Sequence, residues 1–136
     1  MAKTIQQTVT FNAPPGELFD IYLDSKRHSA AVNDRASISR AAGRKFSVFD
    51  RYITGTNLLI VPKRLIVQSW RGSDWKAREP DSVLILAFSK ARGGGQITLV
   101  HVNLPDNHAA SISKGWRQYY WKPWKAYLRR LRRKRH

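Results

Sequence analysis

The sequence predicts an α+β fold, in which a curved antiparallel sheet of about six to seven strands wraps around one long C-terminal helix. Three observations lead to this prediction. Segments with alternating apolar and β-branched residues recur between positions 4 and 104, with short turns between them. Two short helical patterns follow the first of these segments. Apolar residues then recur three to four positions apart from Ile112 to Leu131, which is the spacing of one helical face. A sheet with its long helical mass on one side defines the α+β class.

The N-terminal part of the chain predicts one strand and two short helices. In Thr4–Phe11 one face is apolar apart from Gln7, and the other is polar, as in a half-buried strand. The prolines of Asn12–Pro15 end this strand and suit the first turn of an amphipathic helix. Asp24–Lys26 marks a break and supplies a helix cap, so a second short helix is predicted from there to about Val32.

The middle of the chain contains consecutive strand patterns separated by turn residues. Gly55 lies inside one of them and indicates a bulge or a close backbone approach. Ser82–Ser89 is almost wholly apolar, which predicts a central strand covered on both faces. The predicted strands are Ala36–Arg40, Lys45–Phe49, Tyr52–Val61, Leu65–Arg71, Ser82–Ser89 and Gln96–Leu104.

The last predicted element is a helix from about Asp106 to Arg132, which would be about 40 Å long at a rise of about 1.5 Å per residue. Asp106 or Asn107 is the expected cap. Pro123 lies inside this helix, where it removes a hydrogen bond and crowds the carbonyl four residues back. We therefore expect a kink near Tyr119–Tyr120, or two shorter helices that meet there.

The charge of the chain is high and unevenly distributed. Lys and Arg total 25 and Asp and Glu total 9, which gives a formal charge of +16. Every acidic residue lies at or before Asp106, while the segment from Lys114 onward is basic. Such a surface attracts polyanions, so nucleic-acid binding is one alternative function, with a solubility role as the other reading. The residues predicted for it are Lys125, Arg129, Arg130, Arg132 and Arg133, in a basic extension of about residues 129–136.

Several classes of chemistry find no support in the residues. The chain has no cysteine, and its four histidines, His28, His101, His108 and His136, show no metal-ligand spacing. No catalytic constellation, phosphate-binding glycine loop or cofactor motif is present, so no enzyme, metal or cofactor is predicted. No apolar run is long enough to span a membrane, and the start of the chain lacks a secretion signal, which predicts a cytoplasmic protein. At 136 residues, a single domain over 1–136 is expected.

One ordered set of residues resembles a known family. The order of elements resembles the helix-grip fold of the START / Bet v 1-like (SRPBCC) superfamily. The motifs resemble one branch of it, the domain named for the activator of Hsp90 ATPase homologue (AHSA1-like). The segments PPGELFDIYLD and TLVHVNLP also resemble that family. The positions that carry its signature are Gly43, Phe46, Gly55, Pro62, Ile66, Val67, Trp70 and Arg71.

The resemblance implies a cavity between the sheet and the C-terminal helix. Ligand cavities are mostly apolar and often aromatic. The residues proposed to line it are Tyr22, Phe46, Trp70, Trp75, His101, Trp116, Tyr119 and Tyr120. The same aromatic side chains could instead fill the space and leave a solid core.

The resemblance leaves two function classes beside polyanion binding. The first is a non-enzymatic binding protein for an apolar or aromatic small molecule. The second is a co-chaperone-like interaction with an Hsp90-type chaperone, which would connect the protein with the stress response. The family's co-chaperone carries an additional N-terminal domain that has no counterpart in these residues, which limits what the resemblance implies.

Overall fold

The computed structural model describes residues 2–134, which form one seven-stranded sheet with helices on its concave face. All neighbouring strands are antiparallel, in the order β1-β7-β6-β5-β4-β3-β2. The strands are β1 Lys3–Phe11, β2 Ala36–Ser37, β3 Lys45–Val48, β4 Ile53–Val61, β5 Leu65–Gly72, β6 Ser82–Ala91 and β7 Gly94–Leu104. The helices are α1 Pro15–Leu23, α2 Ser25–Val32, α3 Ala109–Gly115 and α4 Lys122–Lys134, with a π-helical segment Trp116–Trp121 between the last two. The predicted fold class is confirmed.

The two short helices form where the sequence places them. Pro15 occupies the first turn of α1, where the missing N–H costs no hydrogen bond. The side chain of Asp24 caps α2 by accepting a hydrogen bond from the Arg27 backbone N–H at 2.9 Å. Leu18 and Ile21 of α1 are fully buried against the sheet. These contacts hold α1 against the inner face of the sheet.

The strands bury only one face of the sheet. In β6, Leu84 and Leu86 are fully buried, whereas Val83 and Ile85, which alternate with them, are half-buried. The prediction that Ser82–Ser89 is covered on both faces is therefore wrong. The physical reason is that the helices of the described chain all pack on the inner face, so the outer face has no second layer.

Local irregularities shape the edge of the sheet formed by β2, β3 and β4. A Cβ atom on Gly55 would lie 1.9 Å from the Ser69 carbonyl oxygen, so the predicted close backbone approach is confirmed. The pairing of β4 with β5 shifts between Asn57 and Leu59, which marks a bulge. The strand predicted at 36–40 is shorter than expected, because only Ala36–Ser37 pairs with β3.

The C-terminal helix begins later than predicted and is interrupted differently. It starts at Ala109, and its capping residue His108 makes no side-chain capping bond, so the cap at Asp106 or Asn107 is wrong. The predicted break takes the form of the π-helical segment, in which the Lys122 N–H bonds the Arg117 carbonyl five residues back. A wider turn directly before Pro123 is a common way to fit a helix around a proline.

The π-helical segment changes which aromatic residues reach the core. Trp116, Tyr120 and Trp121 are all buried, and the rings of Trp116 and Trp121 stack with centroids 5.5 Å apart. The Trp121 indole N–H donates to the Gln7 Oε1 at 2.8 Å, and the Gln7 amide N–H donates to the Ser113 carbonyl at 2.8 Å. Gln7 is therefore the partner that a buried indole and a helix carbonyl require, which explains the polar exception on β1.

Candidate functional site: an aromatic cleft between the sheet and the C-terminal helix

A cleft with a volume of about 640 Å³ lies between the inner face of the sheet and the C-terminal helix. Ile53 and Trp70 form its floor on β4 and β5. Ile112, Gly115 and Trp116 form the helix wall. The remaining wall comes from the end of α2 and the turn after β3, and polar groups are few, chiefly from Asn33, Asp34 and Ser111. The cleft is open to solvent, since Tyr119 and Tyr52 at its mouth are 56% and 47% exposed.

Four of the eight predicted cavity residues line this cleft: Trp70, Trp116, Tyr119 and Tyr120. The other four lie elsewhere. Tyr22 and His101 are in the filled core, Phe46 packs over Gly55, and Trp75 contacts Trp70 and His108 outside the cleft. Both alternatives from the sequence thus hold in part, because aromatic residues fill most of the space and leave an opening at the β4–β5 end.

The core between the sheet and the C-terminal helix contains a hydrogen-bonded network of buried polar side chains. The His28 Nδ1 lies 2.7 Å from the Tyr22 carbonyl and its Nε2 lies 2.9 Å from the Tyr120 hydroxyl. The Tyr22 hydroxyl donates to Gln68 at 2.8 Å, and Gln68 donates to Asn57 at 2.8 Å. Burial lowers the pKa of His28 to about 4, so its ring is neutral at neutral pH. These hydrogen bonds explain why the polar side chains can be buried in the core.

His101 is likewise a structural residue, although it lies next to a serine. Its Nδ1 accepts a hydrogen bond from the Trp116 indole at 3.1 Å, so the ring proton is on Nε2, which donates to the Ser82 hydroxyl at 2.8 Å. The Ser82 hydroxyl in turn donates to the Trp70 carbonyl at 2.7 Å. A general base must accept the proton of its nucleophile, and here the direction is opposite. Burial also lowers the pKa of His101 to about 3.

The turn after β3 supplies cleft residues that the sequence did not indicate. Phe49, Asp50 and Arg51 have positive φ angles of 54°, 53° and 71°, which non-glycine residues rarely adopt. The Asp50 N–H bonds the Arg35 carbonyl at 3.0 Å and holds the turn in place. This geometry brings the Phe49 ring within 5.4 Å of Tyr120, centroid to centroid. The sequence placed the connection between the two strands at Asp50–Arg51, but without a glycine there it did not indicate three consecutive positive φ angles or a place for Phe49 in the cleft.

Trp70, on the floor of the cleft, has a polar group without a hydrogen-bond partner in the described chain. The Trp70 indole N–H is buried and has no hydrogen-bond partner among the described residues. The same is true of Trp124, which does not line the cleft. An unpaired buried donor costs free energy in the unliganded protein, about 1–3 kcal/mol each.

The basic surface forms a separate feature on α4. The side chains predicted for polyanion binding are exposed, and the Arg130 guanidinium lies 5.9 Å from the centre of the Tyr127 ring. Positions 135 and 136 of the predicted extension lie outside the described residues. Polyanion binding stays a prediction. Within residues 2–134 there is no group of three or more potential metal ligands, and no helix long and apolar enough to cross a membrane.

The sheet, the gripped helix and the cleft between them define a protein of the helix-grip class. Residues 12–129 match the family described as Activator of Hsp90 ATPase homolog 1-like protein, and the chain belongs to that family.

Curated relatives with related names are distant in sequence. The chain is similar to an Activator of 90 kDa heat shock protein ATPase homolog of Dictyostelium discoideum, 22% identical over 85% of this chain and 30% of that protein. It is also similar to the Homo sapiens Activator of 90 kDa heat shock protein ATPase homolog 1, 24% identical over 82% of this chain and 32% of that protein. The chain thus spans about a third of the length of these relatives.

Solved structures share the fold over nearly the whole chain. An HSP90 activator from Plasmodium falciparum has a TM-score of 0.81 at 23% identity, covering 94% of this chain and 96% of that one. CalU16 from Micromonospora echinospora has a TM-score of 0.75 at 20% identity, covering 93% of this chain and 75% of that one. At these identities the likeness concerns the fold alone.

Proposed function

We propose that this chain is a non-enzymatic binding protein whose cleft takes an apolar or aromatic small molecule. The observation that carries the proposal is the open cleft of about 640 Å³ between Trp70 and Trp116. That volume lies within the range of about 300–1,000 Å³ typical of small-molecule sites, and the walls are mostly apolar with few polar groups. We also propose that the chain forms a single domain and that the protein is cytoplasmic.

Gly115 offers a direct way to fill the cleft. It lines the helix wall in ordinary helical geometry (φ −61°, ψ −39°), and a Cβ there would meet only Tyr119 at 3.6 Å. Gly115→Leu should therefore occupy the cleft without strain, and replacing a helical glycine stabilises by up to about 1 kcal/mol. Gln118→Leu is the matched control, since it adds the same side chain at an exposed position of the same helix.

The experiment is a thermal-shift screen of the protein against a mixed hydrophobic library, followed by titration of each hit. We expect hits on the wild type and on Gln118→Leu, and loss of binding in Gly115→Leu with its melting temperature unchanged or raised. Hits that bind all three proteins equally would place the ligand outside the cleft. A screen without any hit would contradict the small-molecule proposal.

A second candidate is a co-chaperone-like contact with an Hsp90-type chaperone. It is favoured by the similarity to the Dictyostelium discoideum, Homo sapiens and Plasmodium falciparum proteins named as Hsp90 activators, and by the exposed Tyr52 and Tyr119 at the mouth of the cleft. Exposed aromatic side chains are enriched where protein interfaces form.

A pull-down against the purified chaperone, with stimulation of its ATPase as the readout, separates the two candidates. Stimulation that Tyr52→Ser and Tyr119→Ser together reduce would support the co-chaperone role. Absence of binding at tens of micromolar would contradict it. Gly115→Leu should leave chaperone binding intact if the partner contacts only the mouth.

A further inference from the structure

Helix α4 presents basic side chains that have no acidic partner. Seven of its thirteen residues are Lys or Arg, and none is acidic. Trp124, Tyr127 and Leu128 anchor the other side of the helix in the core. In the described chain, no ion pair involves any of the exposed basic side chains of α4. These side chains, which we call the α4 cations, are Lys122, Lys125, Arg129, Arg130, Arg132 and Arg133.

Five of the α4 cations form one stripe along the helix. At 3.6 residues per turn, all of them except Arg130 lie within an arc of about 100°. The stripe is about 16 Å long from Lys122 to Arg133, at about 1.5 Å per residue. Cations four residues apart, such as Lys125 and Arg129, repel each other and destabilise a helix. The helix dipole favours cations only in the last turn, so it does not account for Lys122 and Lys125. A bound polyanion would offset the repulsion along the whole stripe.

The side chains around the α4 cations narrow the class of polyanion. No large apolar side chain of α4 is exposed. A helix that lies on a lipid surface inserts apolar side chains, and a protein interface has an apolar centre, so neither partner fits this surface well. Contacts with nucleic-acid phosphates need only basic and polar groups. Four of the six α4 cations are Arg, whose planar guanidinium can give a phosphate two parallel hydrogen bonds.

The aromatic residues of α4 favour a duplex over a single strand. Proteins hold single strands largely by stacking the bases on accessible aromatic rings. Trp124 and Tyr127 are buried, and the Arg130 guanidinium lies 5.9 Å from the centre of the Tyr127 ring. The exposed Tyr119 precedes α4 and lines the cleft. A duplex needs no stacking surface, and a length of about 16 Å carries about ten phosphate charges, at one per about 1.7 Å.

We propose that the α4 cations bind the phosphate backbone of a double-stranded nucleic acid without reading its sequence. Charge complementarity identifies the partner, because a stripe of unpaired cations on a fixed helix faces a regular array of phosphates. The core contacts of α4 hold the helix in place before binding, so little ordering of the backbone opposes the association. This site is separate from the cleft, and the proposal does not depend on a small-molecule ligand.

Fluorescence anisotropy with labelled DNA and RNA duplexes of about 20 base pairs tests the proposal. We expect micromolar binding at about 0.1 M salt, equal for two unrelated sequences of the same length. With about four phosphate contacts, the affinity should fall about 150-fold between about 50 and 200 mM salt. Binding of only one of the two duplexes would identify that nucleic acid as the partner. No binding of either duplex at about 50 mM salt overturns the proposal.

A paired substitution tests whether α4 is the site. Arg129→Gln together with Arg133→Gln removes two exposed cations, and Gln is a good helix former. Loss of two phosphate contacts should weaken duplex binding about 60-fold at about 0.1 M salt and reduce the slope of its salt dependence by about two. A variant that keeps the wild-type affinity and salt dependence overturns α4 as the site.

The matched control removes the same charge far from α4. Lys76→Gln together with Arg78→Gln neutralises two exposed side chains of the loop between β5 and β6. In this loop Trp75 stacks on His108, the residue before α3, which is about 30 Å from Arg129 at about 1.5 Å per residue. The control should bind the duplex within about threefold of the wild type, since it removes no phosphate contact. Equal losses in the two paired variants would show that net charge alone drives the binding, and would overturn the site.

Two further probes test the class of partner. A single strand of the same length and vesicles that contain phosphatidylserine should each bind more weakly than the duplex at the same salt concentration. Tighter binding of either probe overturns the assignment to a duplex. Gly115→Leu, which alters the cleft, should bind the duplex as the wild type does. Failure of the small-molecule proposal would therefore leave this result unchanged.

Discussion

His28 and His101 are buried because the interior gives each ring nitrogen a partner. His28 is held by the Tyr22 carbonyl and the Tyr120 hydroxyl, and His101 by Ser82 and the Trp116 indole. Neither ring has an acidic residue among these partners, so protonation would leave a buried charge without compensation. Both imidazole rings are therefore neutral in the folded protein.

The first prediction concerns stability in acid. The pKa values of about 4 for His28 and about 3 for His101 lie below the value of 6.5 for an ordinary histidine. The unfolded chain therefore binds more protons than the folded chain below pH 6.5. The free energy of unfolding should fall as the pH drops, by about 1.4 kcal/mol per pH unit for each histidine. The contribution of His28 should level off near pH 4 and that of His101 near pH 3.

Urea unfolding between pH 7 and pH 4 measures this slope. His28→Gln and His101→Gln each remove one titrating group. Each variant should therefore lose about half of the pH slope that the two histidines together contribute to the free energy of unfolding. Variants that keep the full wild-type slope would show that acid acts through other groups.

At the scale of elements, the π-helical segment ties the C-terminal helix to the first strand. An α-helical period predicted Trp116, Tyr120 and Trp124 on the buried side and left Trp121 out. The wider turn brings Trp121 inward as well, where it bonds Gln7 of β1. Sequence reasoning found the disturbance near Pro123 but could not give its form, since a kink, two helices and a π turn share the same local signal.

The second prediction is that Gln7 and Trp121 are energetically coupled. Gln7→Leu removes the acceptor of the buried Trp121 indole N–H and should destabilise the fold by about 1–3 kcal/mol. In the background of Trp121→Phe, which has no N–H, the same change should cost less. The control is Trp124→Phe, because the Trp124 N–H has no partner in the described chain. A double-mutant cycle by urea unfolding measures both couplings, and equal values for the two tryptophans would contradict the prediction.

For the whole molecule, the order and type of elements were predictable because each follows from a local pattern. The alternation in Thr4–Phe11 and the cap at Asp24 are such patterns, and both strand and cap are found where expected. What the sequence could not show is how the aromatic residues divide between core and cleft. Tyr22 and Trp70 look alike as candidates, yet one bonds Gln68 in the core and the other lines the opening. That division depends on the non-glycine turn at Phe49–Arg51 and on sheet curvature, which are set by long-range packing.

The two faces of the sheet give the molecule two separate surfaces. The inner face holds the core and the cleft, and the outer face is not covered by any helix of the described chain. Neither surface was apparent from strand patterns alone, because alternation in Leu65–Gly72 left open which side was concave. Burial of Ile66, Gln68 and Trp70 identifies that side.

The most direct test of the central claim uses the indole N–H signals of the five tryptophans. In a ¹H–¹⁵N spectrum of protein labelled at tryptophan, a ligand in the cleft should shift the signals of Trp70 and Trp116, which line it. The signals of Trp121 and Trp124, which lie in the filled core, should stay in place. The account predicts this selective shift for wild type and its absence in Gly115→Leu. A ligand that binds while Trp70 and Trp116 remain unchanged would contradict it.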